Sequence, residues 1–239
     1  MGIVSEQNSK VYRFSLEPFI LSASIELFAG QKILDVGIGN GIIPSLLLAR
    51  QPDLSITAIE IQNELYEMAV RNAKENKIES TLKLIRGDFI MQKLPLNGPF
   101  DVIVSNPPYR KLNSGRINQG IVKAIARHEL KMDLSSLVRK AAFFLRMRGK
   151  ILLAYPQSRL REVLNCLILY GFTPTRLRHV HGRVGLRSKF FLVEGVKGDF
   201  EEPLKEDSFY VQCDNNQYAP EMKAIYVSIN SSGRSYSFW

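Results

Sequence analysis

The sequence predicts an α/β fold with a mostly parallel sheet. Short apolar runs alternate with amphipathic segments of helical period, which is typical of successive βαβ units. A glycine-rich turn at residues 37–41 follows the first predicted strand, and the motif Asn106-Pro107-Pro108-Tyr109 closes the fourth. The carboxyl ends of the strands form the ligand-binding edge of such sheets. We therefore expect both motifs to lie at one edge and to form the functional site.

The chain has 239 residues, enough for one α/β domain with a substantial core and a small appendage. No apolar run is long enough to span a bilayer, and the N-terminus lacks the pattern of a secretory signal. Cys166 and Cys213 have no metal-binding spacing and are expected to be free thiols in a reducing compartment. These features predict a cytoplasmic protein that is neither membrane-spanning nor disulfide-rich.

The positive charge is concentrated in one part of the chain. The formal net charge is +9. Residues 1–105 carry 10 Lys and Arg against 12 Asp and Glu, residues 106–195 carry 18 against 4, and residues 196–239 carry 4 against 7. The excess thus begins at the Asn-Pro-Pro-Tyr motif, which favours a polyanion docking over that edge. A generally basic, solvated face is the alternative.

The predicted elements divide the chain into three parts. These are an N-terminal helical segment at 1–29 that contributes to the cleft, a main domain at 30–195, and an extension at 196–239 whose last residues are loose. Parallel strands are predicted at 33–36, 55–61, 82–86, 100–105 and 150–155. Helices are predicted at 16–28, 42–50, 63–76, 134–145 and 159–170. Residues 172–180 and 189–193 are expected to form a closing antiparallel pair.

The first strand carries an acidic residue just before the glycine-rich turn. The segment reads Asp35-Val-Gly37-Ile-Gly39-Asn40-Gly41. A dinucleotide fingerprint needs another glycine one position later, and a triphosphate loop needs a Lys-Ser/Thr pair, so neither matches. A carboxylate here repels phosphate and attracts an ammonium or sulfonium group. The pattern favours a cationic adenosyl cofactor. The residues of this segment expected to bind it are Asp35, Gly37, Gly39, Asn40 and Gly41.

Two further strand ends supply acceptors for the same ligand. Glu60 ends the second strand, where its carboxylate can accept hydrogen bonds from two ribose hydroxyl groups. Asp88 follows the third strand and can accept the amine of an adenine, while Phe89 or Ile61 packs against the ring. A solvated carboxylate at Glu60 and an ordinary Gly-Asp turn at Asp88 are the alternatives.

Asn106 and Pro107 present two oxygen acceptors at the end of the fourth strand. A strand cannot continue through two prolines, so the chain turns here. The side-chain carbonyl of Asn106 and the backbone carbonyl of Pro107 suit a planar ring that carries an NH2 group. The face of Tyr109 can stack on that ring. An ordinary proline-rich turn is the alternative.

Two histidines raise the question of a metal. His179 and His181 fall on one face of a predicted strand. Two ligands without a third in view do not define a zinc site. No metal is therefore predicted.

Together, these motifs resemble those of the class I S-adenosylmethionine-dependent methyltransferases, in the branch that methylates amino groups. Their order and spacing match over roughly residues 30–195. The resemblance implies a Rossmann-like, seven-stranded, mostly parallel sheet with an antiparallel last strand, and S-adenosylmethionine as cofactor. The segments YRFSL (12–16), SGRIN (114–118) and AIARHE (124–129) resemble the bacterial tRNA1(Val) adenine-N6 methyltransferase family.

This narrower resemblance implies methyl transfer to N6 of an adenine in tRNA, beside the anticodon of a valine tRNA. Asn106, Pro107, Pro108 and Tyr109 are then the catalytic motif, and the first two accept the N6 hydrogens. Asn106 also borders the cofactor. The residues expected to contact RNA are Arg13, Arg110, Lys111, Arg116, Arg127, His128 and Lys131. The oligomeric state is not predicted.

Other functions share parts of this pattern. The same tetrapeptide serves glutamine-N5 methyltransferases of release factors, because an amide NH2 presents similar hydrogens. Guanine-N2 methylation of ribosomal RNA is a neighbouring activity. A non-catalytic RNA-binding module that has kept the fold is the non-enzymatic alternative. Residues 117–129 argue against the first of these, and the complete cofactor motifs argue against the last.

Overall fold

The computed structural model describes residues 16–91, 93, 95–107, 133–215 and 217–231. Its strands are β1 Gln31–Val36, β2 Leu54–Glu60, β3 Leu82–Arg86, β4 Phe100–Ser105, β5 Leu145–Pro156, β6 Phe172–Arg183, β7 Ser188–Lys197 and β8 Lys205–Gln212. Its α-helices are α1 Glu17–Ser24, α2 Ile42–Arg50, α3 Asn63–Glu75, α4 Leu134–Phe144, α5 Leu160–Leu169 and α6 Pro220–Ser231. None of these helices is long and apolar enough to cross a bilayer.

The described strands form one sheet in the order β3-β2-β1-β4-β5-β7-β6-β8. Strands β1 to β5 pair in parallel. Strand β7 runs antiparallel to both of its neighbours, β5 and β6. The predicted α/β sheet with an antiparallel strand is confirmed. The predicted number of strands, seven, is wrong by one, because β8 adds an eighth in parallel with β6.

Strand β8 escaped prediction because it begins with charged residues. Phe209 and Val211 are buried in the core, but Asp207 and its neighbours make the strand's first half polar. Asp207 pairs with Arg176 and Arg178 of β6, whose Nη2 atoms lie 3.3 and 2.6 Å from its Oδ2. In the sequence alone, an acidic segment is typical of a solvated surface. Its arginine partners on β6 become visible only in the folded structure.

The helices cover the sheet on both faces and give it two apolar cores. One core gathers residues from α1, α2, α3 and α6, including Ile20, Leu47 and Met222. The other gathers residues from α4 and α5, including Leu137 and Leu167. Burial on both faces explains why the central strands β1 and β4 are continuous apolar runs. Functional groups are therefore left to the strand ends.

Helix α1 ends earlier than its apolar pattern predicts. It stops at Ser24, whereas the pattern extends to residue 28. The guanidinium of Arg50 donates to the carbonyl of Ser22 and, at 3.0 Å, to that of Ile25. These bonds satisfy carbonyl groups that have no partner at a helix end. A partner from α2 thus fixes the end of α1.

Residues 196–231 continue the main sheet. Strand β8 extends it beyond β6, and α6 packs against α1 and α2. Arg178 of β6 joins the two elements, because its Nη1 lies 2.5 Å from Glu221 Oε1 in α6 and its Nη2 binds Asp207 in β8. The division of the chain at residues 29 and 195 remains a prediction.

Candidate active site

The ends of β1 and β4 meet at one edge of the sheet. Asp35 pairs in register with Val104, and the Ser105 hydroxyl donates a hydrogen bond of 2.7 Å to the Val36 carbonyl. Asn106 follows two positions beyond Val104, or about 7 Å along the strand direction. The structure therefore places the acidic residue of the first motif beside the asparagine of the second.

The glycine-rich turn folds back over the end of β2. Gly37, Gly39 and Gly41 all have positive φ angles, of 80°, 60° and 86°. Residues 37 and 38 donate backbone hydrogen bonds to the carbonyl of Ile59 at 2.9 and 3.0 Å. The N–H of Gly39 donates to Glu60 Oε2 at 2.9 Å. Glycine recurs at these three positions because other residues adopt such positive φ angles only under strain.

Two of these glycines face different surroundings. A Cβ added at Gly39 meets no atom within 4 Å, so open space adjoins this part of the turn. A Cβ added at Gly41 lies 3.6 Å from the Cβ of Ala69 in α3. Gly39 therefore allows a ligand to approach the backbone, whereas Gly41 lies against α3 and is required by its positive φ angle rather than by lack of space.

Asp35 has a fully buried carboxyl group with no compensating partner in the described part of the chain. Its exposed fraction is 0%, and neither oxygen accepts a hydrogen bond from the described residues. Burial raises the pKa of Asp35 to about 8, and the charge of Glu60 adds to the rise. A buried acceptor is ordinarily hydrogen-bonded, because leaving it unpaired costs about 1–3 kcal/mol. The side chain is suited to a cationic or hydrogen-bond-donating ligand.

Glu60 holds the glycine-rich turn in place. Its exposed fraction is 4%, and its Oε1 accepts a hydrogen bond of 2.9 Å from the N–H of Gln62 while Oε2 binds Gly39. Burial raises the pKa of Glu60, whereas the backbone N–H groups of Gln62, Gly39 and Ile61 oppose the rise. Each carboxylate oxygen can accept a second bond. Ribose binding by Glu60 therefore stays a prediction compatible with this geometry.

Asn106 is the second buried acceptor at this edge. Its Oδ1 is buried and has no hydrogen-bond partner among the described residues. Pro107, the next residue, is buried as well. Their two predicted partners in the motif, Pro108 and Tyr109, lie outside the described residues. An amide oxygen held away from water at a strand end is suited to accept a hydrogen bond from a substrate NH2 group.

Asp88 and Phe89 have contacts within the protein. Asp88 Oδ1 accepts hydrogen bonds from the N–H groups of Ile90 and Met91 at 2.8 and 3.0 Å, which closes a turn. Phe89 is 3% exposed, and its ring centroid lies 6.2 Å from that of Phe144. Ile61 is half-buried, so it is the more accessible of the two predicted apolar contacts. Adenine binding at this turn stays a prediction.

The basic residues expected to bind RNA are not part of the described chain. Residues 1–15 and 108–132 lie outside it. These segments contain Arg13, Arg110, Lys111, Arg116, Arg127, His128 and Lys131. Their RNA contacts stay predictions from the sequence.

The paired histidines contact protein groups. The Nδ1 atom of His179 lies 3.0 Å from Gln157 Oε1, and its Nε2 atom lies 2.8 Å from Glu206 Oε1. His181 Nδ1 lies 2.7 Å from the carbonyl oxygen of Leu186. Within the described ranges, no three His, Cys, Asp or Glu residues are grouped as metal ligands.

Asn72 is a site residue that the sequence reasoning missed. It lies on the apolar side of α3 together with Leu65, Met68 and Ala69, and it is 2% exposed. Its Nδ2 donates a hydrogen bond of 2.8 Å to the backbone carbonyl of Asn40 in the glycine-rich turn. An asparagine within an otherwise apolar helical stripe is the signal that could have revealed it, since a buried amide needs a partner.

We expect Asn72→Leu to raise the Kd for S-adenosylmethionine about tenfold, because an unpaired buried carbonyl costs about 1–3 kcal/mol and loosens the turn. The matched control is Asn76→Leu. Asn76 Nδ2 also donates to a buried backbone carbonyl, that of Asn72, at 2.7 Å, but it lies one helical turn further from the site. Calorimetric titration checks both variants. Equal Kd values for the two would contradict the positioning role, as would a loss confined to kcat.

The arrangement fits a cationic adenosyl ligand. Asp35 supplies a carboxyl group whose charged form a bound cation favours, Gly39 leaves open space above the turn, and Glu60 offers acceptor capacity at the adjacent strand. Asn106 Oδ1 lies at the neighbouring strand end as a free acceptor among the described residues. These residues can hold S-adenosylmethionine and present a second, amino-bearing molecule to it.

Comparisons with known proteins relate the chain to methyltransferases. A family model described as the methyltransferase small domain matches residues 19–165. A tRNA1(Val) (adenine(37)-N6)-methyltransferase from Vibrio vulnificus is 31% identical over 166 residues, which cover 70% of this chain and 68% of that protein. A protein of the same name from Porphyromonas gingivalis is 28% identical over 196 residues, covering 80% and 76% of the two chains.

Solved structures show the same fold at low sequence identity. A predicted O-methyltransferase from Agrobacterium tumefaciens, 16% identical, superposes with a TM-score of 0.69 over 92% of this chain and 97% of its own. A geranyl diphosphate methyltransferase solved with sinefungin, 13% identical, gives a TM-score of 0.55 over 76% of each chain. With the match to the family model, the buried acidic residue and the glycine-rich turn, these findings identify the chain as a member of the methyltransferase small domain family and an S-adenosylmethionine-dependent methyltransferase.

Proposed function

We propose that this enzyme methylates N6 of an adenine in tRNA, beside the anticodon of a valine tRNA. The observation that carries the proposal is the buried Oδ1 of Asn106, which has no donor among the described residues. An adenine N6 group offers two hydrogens to such an acceptor. The names of the relatives from Vibrio and Porphyromonas support the same substrate.

The residues at the edge have separate roles in this proposal. S-adenosylmethionine, when bound, supplies an electrophilic methyl group. Asn106 Oδ1 and the Pro107 carbonyl accept the N6 hydrogens and so orient the nitrogen lone pair. Asp35 and Glu60 hold the cofactor side of the site. The N6 nitrogen can lose its proton after transfer, so orientation and electrostatics carry the catalysis without a strong base.

The target base must leave its stack to reach this edge. The Oδ1 atom of Asn106 is buried at the strand end, so only an unpaired or flipped base can present its amino group to that atom. Sequence-specific RNA recognition commonly uses loops whose bases can be splayed out. The net charge of +14 over residues 106–195 supports a polyanionic substrate. An anticodon loop meets both requirements.

The test is transfer of a labelled methyl group from S-adenosylmethionine to unmodified total tRNA, followed by nucleoside analysis. We expect N6-methyladenosine that maps beside the anticodon of a valine tRNA. Label in a release factor or in ribosomal RNA instead of tRNA would keep the chemistry and overturn the substrate. No transfer to any of these acceptors, together with failure to bind S-adenosylmethionine, would favour a non-catalytic RNA-binding module.

A further inference from the structure

The β6–β7 hairpin projects from the same edge of the sheet as the active site. Pro156, the last residue of β5, pairs with Phe190 of β7, so the hairpin tip at residues 183–188 extends beyond the end of β5. Strand β7 is two strands away from β4, which is about 10 Å, and β6 is three strands away, about 14 Å. Asn106 is level with Leu192 of β7, so Lys189 and Arg187 also lie three and five residues, or about 10 and 17 Å, further along the strand direction. The tip is therefore about 14–20 Å, or about two or three nucleotides, away from a base held at Asn106.

Two cationic side chains at the tip, Arg187 and Lys189, have no ion-pair partner in the described part of the chain. Residues 181–190 contain Arg183, Arg187 and Lys189 and no Asp or Glu. Arg187 and Lys189 are exposed, and neither forms an ion pair with a carboxylate of the described residues. Arg178, lower in β6, differs because Asp207 and Glu221 pair with it. Unpaired cations on an exposed tip are available to an anionic partner.

The tip is also ordered before any partner binds. Leu186 N–H donates to the Arg183 carbonyl at 3.2 Å, and Gly185 has the positive φ angle, 77°, that such a turn requires. His181 Nδ1 contacts the Leu186 carbonyl at 2.7 Å, and the His181 ring stacks on Tyr210 of β8 with centroids 5.0 Å apart. A preformed surface avoids part of the ordering cost of binding.

Lys189 has a defined position on this hairpin. It is the extra residue at a register shift, because Val180 pairs with Phe190 while His181 pairs with Ser188. Its side chain lies alongside Gly182, where an added Cβ would be in ordinary contact with Lys189 Cε at 3.5 Å and with its Nζ at 3.6 Å. The bulge directs this cation across the hairpin.

We infer that the tip of the β6–β7 hairpin is an RNA-binding surface, on which Arg187 and Lys189 contact phosphates of the strand that flanks the target base. This inference rests on the proposed function and adds to it the surface that docks the substrate. RNA fits better than an acidic protein because phosphates recur at short intervals along the strand that enters the neighbouring active site. The hairpin contributes affinity for the backbone and no chemistry.

The test compares Arg187→Gln/Lys189→Gln with the matched control Lys74→Gln/Lys83→Gln. The control removes the same charge from exposed lysines of α3 and β3, at the far end of the sheet. Fluorescence anisotropy gives the Kd for an unmodified valine tRNA transcript at several salt concentrations. Because each phosphate contact adds about 0.7 to the slope of log K against log salt, we expect the hairpin variant to lose about 1.4 from that slope. Its Kd at 0.15 M salt should rise about tenfold.

The control variant should bind RNA as the unsubstituted protein does, and both variants should keep its Kd for S-adenosylmethionine. Methylation of tRNA by the unsubstituted protein, together with an unchanged slope in the hairpin variant, would overturn this inference alone. A reduced slope without any N6-methyladenosine would support the docking surface and overturn the substrate assignment. Absence of RNA binding by the unsubstituted protein would overturn both.

Discussion

Replacing Asn106 with alanine is expected to reduce kcat for methyl transfer at least about a thousandfold. The substitution removes the buried Oδ1 that we propose accepts an N6 hydrogen. Without that acceptor, nothing aligns the nitrogen lone pair with the methyl group, and losses of this size are typical when one preorganised polar group is removed. The Kd for S-adenosylmethionine should change by less than about threefold. Single-turnover kinetics and calorimetric titration measure the two quantities.

Ser105→Ala is the matched control for this variant. Ser105 precedes Asn106 and is fully buried, but its hydroxyl already donates a hydrogen bond of 2.7 Å to the Val36 carbonyl. Its loss should lower the free energy of unfolding by about 1 kcal/mol and leave kcat within tenfold. An Asn106→Ala enzyme that kept a tenth of the original kcat would remove Asn106 from the catalytic role.

The second large effect expected is a rise in affinity for S-adenosylmethionine with pH. Burial raises the pKa of Asp35 to about 8, so the carboxyl group is mainly uncharged at pH 6.5 and mainly charged at pH 8.5. A bound cation favours the charged form. If only the carboxylate binds, the Kd should fall about 25-fold over this range, because the ionised fraction rises by that factor.

Asp35→Asn supplies the reference for this titration. The amide keeps the shape of the side chain but cannot ionise, so this variant should bind S-adenosylmethionine more weakly than the unsubstituted protein at both pH values, with the larger difference at pH 8.5. An α-amino group also titrates in this range, so only the difference between the two proteins reports on Asp35. Parallel pH profiles for both proteins would contradict the role of Asp35 in attracting the cofactor's charge.

The same carboxyl group should destabilise the empty enzyme at high pH. Its pKa in the folded state lies above the ordinary value of 3.8, so the folded state binds the proton more tightly than the unfolded state. Its contribution to stability therefore falls as pH rises between about 4 and 8. Asp35→Asn should raise Tm relative to the unsubstituted protein, and by more at pH 8.5 than at pH 5. This would identify Asp35 as a residue kept for function at a cost in stability.

Residue patterns predicted most of the sheet because its central strands are buried on both faces. The central strand β4, at 100–105, has the predicted bounds. Such strands are short apolar runs ended by glycine, aspartate or proline. Strand β8 was missed for the opposite reason, since its polar residues are compensated by Arg176 and Arg178, which precede it by about 30 positions. Compensation across that distance leaves no local pattern.

The active site shows the same contrast between features with a local sequence pattern and features that depend on distant residues. Glycine spacing and an acidic strand end indicate a cofactor loop locally, because positive φ angles demand glycine wherever the chain makes such a turn. The role of Asn72 depends on α3 lying against that turn, which brings its amide to the Asn40 carbonyl 32 positions away. A hydrogen bond between distant segments is a property of the packing, so only the fold reveals it.

The sequence by itself determined the α/β class, the cofactor loop at Asp35 and the acceptor motif at Asn106, because each follows from backbone or chemical requirements confined to a few neighbouring residues. The tertiary structure decided which of these groups are left without partners. It buried Asp35 and Asn106 Oδ1 unpaired among the described residues, and it used Asp88 Oδ1 to close a turn. It also brought the β6–β7 hairpin to the active-site edge. Desolvation and strand order depend on the whole chain. Desolvation sets the protonation of the candidate residues, and strand order sets their positions relative to one another.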